Sequence, residues 1–186
     1  MDRDLALDIR FVVLDADGVL TDGGIYVLDG VDGRPFQLRR FHVQDGLAVK
    51  MLERAGIEVA IVSGRDSPAL RERARELGIR EIHQVAPDEK VGTVGSMLES
   101  RGLEWSQVAC MADDLADLAL MRRVALPAAV ANGVDEVRAE AIWISDRFGG
   151  EGAVREFTES LLKARGQWDD LVREYVAGSG SDTDGP

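Results

Sequence analysis

The chain has 186 residues, 45% of them hydrophobic and 30% charged, with a formal net charge of −12. This suits one compact domain of ordinary size, and the negative charge argues against nucleic acid and anionic membranes as partners, because both reward basic patches. No apolar run has the length of a membrane span, residues 1–10 lack the basic-then-apolar layout of a signal peptide, and the single cysteine, Cys110, lies in an apolar run where an inert buried thiol is expected; a cytoplasmic protein follows.

Residues 11–14 form a β-branched apolar run ending on Asp15, the pattern of a buried parallel strand. Glycines follow, then two extended stretches at 25–28 and 35–43 with Asp32-Gly33 between them, which predicts a β-hairpin over about 24–43. Asp45 is placed to cap a helix that runs to Arg54 and is closed by Gly56. Strand and helix then alternate. A strand is predicted over 57–62 and a helix over 67–77, with Pro68 in its first turn and Gly78 at its end. A short strand over 81–85 precedes a helix from Asp88 to Arg101, and a strand over 108–111 precedes a helix over 115–123. Short strands over 125–130 and 141–144 and helices over 152–165 and 168–176 complete the body. Residues 178–186 carry no apolar side chain and are expected to be disordered. The order implies an α/β fold: a doubly wound, mainly parallel sheet with helices on both faces, in one domain over 1–177, with the hairpin as a protruding flap and no large cap.

In such a sheet, ligands bind outside the carboxyl ends of the strands. Asp15, Asp17, Gly18 and Thr21 follow the first strand, Ser63, Gly64 and Arg65 the second, and Asp113 and Asp114 the fourth, while Lys90 lies near a helix N-terminus past the third. Singly, each has an ordinary structural reading as turn former, helix cap or solvated surface residue. Jointly they suit phosphoryl transfer. Two or three carboxylates hold Mg²⁺, which lets an anionic nucleophile approach an anionic phosphate. A carboxylate nucleophile splits one hard step into two, Asp17 serves as general acid and base, and Ser63, the N–H groups after it and Lys90 hold the phosphoryl oxygens.

Asp15-Ala16-Asp17-Gly18-Val19-Leu20-Thr21-Asp22-Gly23 resembles the first signature of the haloacid dehalogenase (HAD) superfamily. Ser63-Gly64-Arg65, Lys90 and Asp113-Asp114-Leu115-Ala116-Asp117 resemble the other three, in order. Phe41-His42-Val43-Gln44-Asp45-Gly46 and Gly149-Gly150-Glu151-Gly152-Ala153-Val154-Arg155-Glu156 narrow the resemblance to the small, cap-less 3-deoxy-D-manno-octulosonate 8-phosphate (KDO 8-phosphate) phosphatases, whose close relatives act on nonulosonate 9-phosphates. The resemblance implies a Mg²⁺-dependent phosphatase of a small sugar-acid phosphate. In it Asp15 is the nucleophile and Asp17 the acid/base, Asp15, the Asp17 carbonyl and Asp113 hold the metal, Ser63 and Lys90 bind phosphate, Asp117 orients Lys90, and Asp114 lies behind or near the metal. Gly64, Thr21 and Arg65 complete the expected phosphate and substrate contacts. The resemblance also implies a homotetramer in which packed hairpins help close each site. Three positions depart from the family pattern: Ala112 replaces a usual Gly, Glu151 stands where KDO 8-phosphate phosphatases usually have Arg, and Gln44 replaces a frequent basic residue. The Glu form is closer to the nonulosonate phosphatases.

Two readings compete from outside this family activity. A non-catalytic oligomeric module on the same fold is expected to have lost at least one of Asp15, Asp17, Ser63, Lys90 and Asp113, yet all are present. A phosphate-accepting receiver domain has no need of a second aspartate just after the nucleophile. His42 and His83 read as structural, although His42 is placed to reach the pocket, and Trp105, Trp143 and Trp168 read as core or interface residues.

Overall fold

The computed structural model describes residues 1–180. Six strands form one parallel sheet: β1 (Phe11–Leu14), β4 (Glu58–Ser63), β5 (Glu81–Gln84), β6 (Val108–Ala112), β7 (Leu126–Ala129) and β8 (Trp143–Ile144). Their order is β5-β4-β1-β6-β7-β8, so β1 lies inside the sheet, with Leu14 paired to Ile61 on one side and to Met111 on the other. The chain order reverses beside β1, which places a crevice at the carboxyl ends of β1, β4 and β6.

The two faces follow from the alternation of side chains along each strand. Val12, Leu14, Val59, Ile61, Ala109 and Met111 face one core, closed by α1 (Arg3–Asp8), α2 (Val43–Arg54), α3 (Pro68–Leu77), α7 (Ala153–Ala164) and α8 (Trp168–Gly180). Phe11, Val13, Ala60, Val62, Val108 and Cys110 face the other, closed by α4 (Lys90–Arg101), α5 (Leu118–Met121) and α6 (Asp135–Glu140). Cys110 is fully buried, and burial raises its thiol pKa, as expected of an inert cysteine. The hairpin is present as β2 (Tyr26–Asp29) and β3 (Pro35–Leu38), with every residue of both strands exposed. It stands off the main sheet and is closed at its root by a bridge between Thr21 and Phe41.

Several local expectations change. Asp45 does not cap its own helix: α2 begins at Val43, and the Asp45 carboxylate instead accepts the N–H of Arg155 at 2.8 Å. Asp88 lies in a short turn, Pro87–Glu89, and α4 starts at Lys90, so that lysine is carried on the first turn of a helix. The helix expected over 115–123 divides into a tight turn, Leu115–Asp117, and the four-residue α5. Helices α1 and α6 were not anticipated; each has six residues, too few to show a helical period. The first is held by a tertiary contact, the Arg165 guanidinium donating to the carbonyls of Ala6 and Ile9 at 2.7 and 2.9 Å. The last helix reaches Gly180, three residues into the tail expected to be disordered; the rest of that tail, 181–186, lies outside the described residues.

One loop packs directly on the segment after β1. The Gly150 N–H donates to the Val19 carbonyl at 3.0 Å, and a Cβ on Gly149 would fall 1.6 Å from the Gly18 oxygen. That approach admits only glycine unless backbone moves. Gly149→Ala is therefore expected to destabilise the protein by about 2–3 kcal/mol in urea unfolding; an unchanged midpoint would show that this packing is not rigid.

Candidate active site

Four chain segments converge at the carboxyl ends of the central strands. Asp15, Asp17, Ser63, Gly64, Arg65, Lys90, Asp113, Asp114 and Asp117 line a cavity of about 350 Å³. Thr21 does not line it. Its buried hydroxyl donates to the Ala16 carbonyl at 3.2 Å and accepts the N–H groups of Gly18 and Gly23, each at 3.3 Å, so Thr21 braces the loop and is not placed as a substrate contact.

The centre is a buried charge cluster. The Lys90 ammonium donates to Asp15 Oδ1 at 2.9 Å and to Asp117 Oδ1 at 2.8 Å, with the Lys90 residue 1% exposed. Burial alone would lower the lysine pKa, but Asp15 and Asp117 outweigh it and the pKa is raised. One cation between two carboxylates leaves a surplus of negative charge. Burial raises the Asp15 pKa although Lys90 opposes it, and burial with Asp15 nearby raises Asp117 to about 7. Asp113 is raised to about 7, first by burial and then by Asp15, Asp117 and Asp114.

The cavity's donors are hard oxygens with surplus negative charge, which fits a divalent cation. The Asp113 carboxylate packs over Gly18, so tightly that a Cβ there would fall 1.9 Å from Asp113 Oδ2. Gly18 adopts φ +89°, turning the loop so that the Asp17-Gly18 backbone lies beside Asp113. Among the described residues no three His, Cys, Asp or Glu side chains form a ready-made cation cage. Mg²⁺ ordinarily takes one or two carboxylates and keeps water or phosphate for its remaining positions, so the Asp15 and Asp113 carboxylates with a backbone carbonyl are a sufficient donor set.

The other predicted residues have mixed placements. Ser63 ends β4 with 2% exposure and its Oγ accepts the Arg65 N–H at 3.4 Å. Asp114 is exposed at the rim and its side chain accepts the Leu115 N–H at 2.7 Å, the capping role that ordinary turn chemistry assigns. Ala112 is 1% exposed and packs in the second core, so its methyl is accommodated there. Glu151 lies 3.4 Å from Arg40, and Gln44 Oε1 accepts from Arg147 at 3.4 Å. His42 stands at the N-cap of α2 without a side-chain capping bond, while His83 pairs with Glu81 at 2.8 Å.

One residue beside the site carries no signature in the sequence. Arg39, at the root of the hairpin and with its side chain only 9% exposed, forms an ion pair with Asp17, and Arg65 Nε stands 3.9 Å from the other Asp17 oxygen. With Lys90, these cations supply the local positive charge that an acidic chain needs beside an anionic ligand. The only signal was the Arg39-Arg40 pair at the end of the predicted flap.

Comparison with known proteins gives the following. The chain is 37% identical over 160 residues to the 3-deoxy-D-manno-octulosonate 8-phosphate phosphatase KdsC of Haemophilus influenzae, covering 86% of each. Its structure is similar to that of 3-deoxy-D-manno-octulosonate 8-phosphate phosphatase from Moraxella catarrhalis in complex with magnesium, phosphate and KDO, with a TM-score of 0.85 at 36% identity over 93% of this chain and 97% of that one. It is also similar to a structure described as a HAD superfamily (subfamily III A) hydrolase from Legionella pneumophila, with a TM-score of 0.85 at 34% identity over 94% and 93% of the two chains. No protein-family model matches.

The raised carboxyls have a measurable consequence. An aspartate whose pKa climbs on folding from 3.8 to about 7 keeps a proton in the native state that the unfolded chain has released, so its contribution to stability falls as pH rises between those values. With divalent ions chelated, Asp113→Asn is expected to match the wild type near pH 4 and to exceed it by on the order of 2 kcal/mol at pH 8. Urea unfolding at both pH values measures this; a difference independent of pH would contradict the placement of Asp113 among uncompensated charges.

Proposed function

The chain belongs to the 3-deoxy-D-manno-octulosonate 8-phosphate phosphatase family of the HAD superfamily, and from that premise we propose that it is a Mg²⁺-dependent phosphatase of a sugar-acid phosphate, KDO 8-phosphate or a related ulosonate phosphate. The observation that carries this reading is the buried Asp15–Lys90–Asp117 cluster opening into a cavity that also holds Asp17, Ser63 and Asp113.

In the proposed reaction an Asp15 oxygen attacks phosphorus and the bond to the leaving sugar oxygen breaks. Asp17 gives that oxygen its proton. The aspartyl-phosphate is then opened by water, whose proton returns to Asp17, and phosphate and free Asp15 result. Lys90 holds Asp15 and offsets charge on the phosphoryl oxygens, while Asp117 holds Lys90 in place. Ser63 and the Gly64 N–H, at the end of β4, would bind the phosphoryl oxygens. Asp15, the Asp17 carbonyl and Asp113 would hold Mg²⁺, which when bound neutralises charge between nucleophile and phosphate. No helix among the described residues is long and apolar enough to cross a membrane, and the reading places the reaction in the cytoplasm.

A second substrate within the same activity, a nonulosonate 9-phosphate, is favoured by Glu151. Its carboxylate lies beside Arg40, so the chain carries a paired acid where KDO 8-phosphate phosphatases usually have Arg. Phosphate release with Mg²⁺ and with chelator, across KDO 8-phosphate, nonulosonate 9-phosphates and neutral sugar phosphates, distinguishes them. Asp15→Asn is expected to lower turnover by about 10³-fold or more while remaining folded; substantial residual activity would remove Asp15 as nucleophile.

The reading includes a homotetramer. Its support is the apolar flap: Ile25 is 64% exposed, Val27 60% and Leu38 50%, surface that a lone hairpin leaves in water. Sedimentation is expected to give about four times the 20.2 kDa chain mass. Val27→Glu with Leu38→Glu is expected to dissociate the assembly, and a monomeric wild type would reject it.

A further inference from the structure

Helix α7 begins on Gly152, whose φ of +95° and missing side chain leave it no cap of its own. An N-cap side chain ordinarily accepts the N–H of the second or third helical residue. Here Asp45, from the first turn of α2, accepts the Arg155 N–H, that of the third residue, at 2.8 Å; burial raises its pKa, and the Arg155 and Gly152 backbone N–H groups oppose that by favouring the charged form. Asp45 is 2% exposed, and its second oxygen has no hydrogen-bond partner among the described residues. A carboxylate is thus buried to serve another helix. Its own helix, which begins at Val43, two residues after Phe41 closes the flap root, takes no capping hydrogen bond from it.

What Asp45 holds is directly connected to the site. Immediately before Gly152, Gly149 accepts no side chain against Gly18, its N–H donates to Asn132 at 2.9 Å, and the Gly150 N–H donates to Val19 at 3.0 Å. These contacts press the loop onto the backbone that turns Asp17 and Gly18 toward Asp113. Two further ties cross the same junction, Arg40 to Glu151 and Arg147 to Gln44, but all four side chains belong to exposed or partly exposed residues and such contacts contribute little.

We propose that Asp45 is a positioning residue: by capping α7 from outside it sets the Gly149–Gly150 loop, and through that loop the geometry of the nucleophile segment, without touching substrate. Its effect on kcat presumes the phosphatase reaction proposed above; its effect on the loop does not. A displacement of about 1 Å at a reacting group is worth about a hundredfold in rate, so a partial loosening is visible kinetically.

The test uses the full chain with Mg²⁺ and p-nitrophenyl phosphate, a probe without a sugar-acid group. Asp45→Ala is expected to lose about tenfold or more in kcat with KM changed by less than about threefold. Asp45→Asn, which keeps an acceptor oxygen, is expected to stay within about threefold of the wild type. Phe157→Leu, a core lesion in the same helix, is the control for lost stability and is expected to leave kcat unchanged. Hydrogen exchange gives an independent readout: amides of residues 149–151 and 17–20 are expected to exchange about tenfold faster in Asp45→Ala, with those of β1 unchanged. If Asp45→Ala does not fold, Asp45→Glu, which shifts the carboxylate by one methylene, carries the same expectations. Wild-type kcat and unchanged exchange in a folded Asp45→Ala, or an equal kcat loss in Phe157→Leu, would overturn the proposal. If the wild type itself releases no phosphate, the phosphatase reading fails and the exchange comparison alone decides the role of Asp45.

Discussion

Asp15, Lys90 and Asp117 lie almost entirely out of water, and the energetics of that cluster govern the rest of the molecule. Burying a charge is tolerable only when it is paired and hydrogen-bonded, and here one ammonium serves two carboxylates. Breaking such a cluster by removing one partner costs about 3–5 kcal/mol, because the charge left behind stays buried. The pairing is also incomplete by design of the sheet. Asp113 adds another half-buried carboxylate with its pKa raised to about 7. The resulting surplus of negative charge makes this end of the sheet a receptor for a cation, and the cation in turn makes it tolerant of phosphate.

The surrounding structure brings positive charge to Asp17. Arg39 and Arg65 reach Asp17 from two different segments, one at the flap root and one after β4. Asp17 therefore has guanidinium partners that the other cavity acids lack. An overall charge of −12 says nothing of that pairing, and the Arg39 partner is there because the hairpin folds back beside the first loop. The same return path places Asp45 against α7, so the flap root, the glycine loop and the nucleophile segment meet at one buried junction.

Much of this was legible in the chain itself. The apolar run before Asp15, the hairpin and the strand–helix alternation gave the architecture, since each depends on residues close together in sequence. Asp15, Asp17, Ser63, Gly64, Arg65, Lys90, Asp113, Asp114 and Asp117 do meet in one cavity. The errors share a cause. Thr21 looked available for a ligand, but its hydroxyl is consumed by its own loop. Asp45 looked like the cap of its own helix, because local cap chemistry cannot report which N–H groups a neighbouring helix leaves open, and Asp88 looked like the cap of a helix that instead begins at Lys90, after a short turn that contains Asp88. Helices α1 and α6 are too short for periodicity, and α1 rests on a contact with Arg165, more than 150 residues away in the chain.

By itself the sequence determined the parallel sheet, the flap and the residue types that gather at the strand ends, because side-chain period and turn chemistry are local properties. Only the tertiary structure decided how those residues share charge: that Lys90 is buried between Asp15 and Asp117, that Arg39 answers Asp17, and that Asp45 caps a helix begun over a hundred residues later. Burial and pairing are properties of neighbours in space, and the electrostatic cost of a charge is set by those neighbours and by the absence of water.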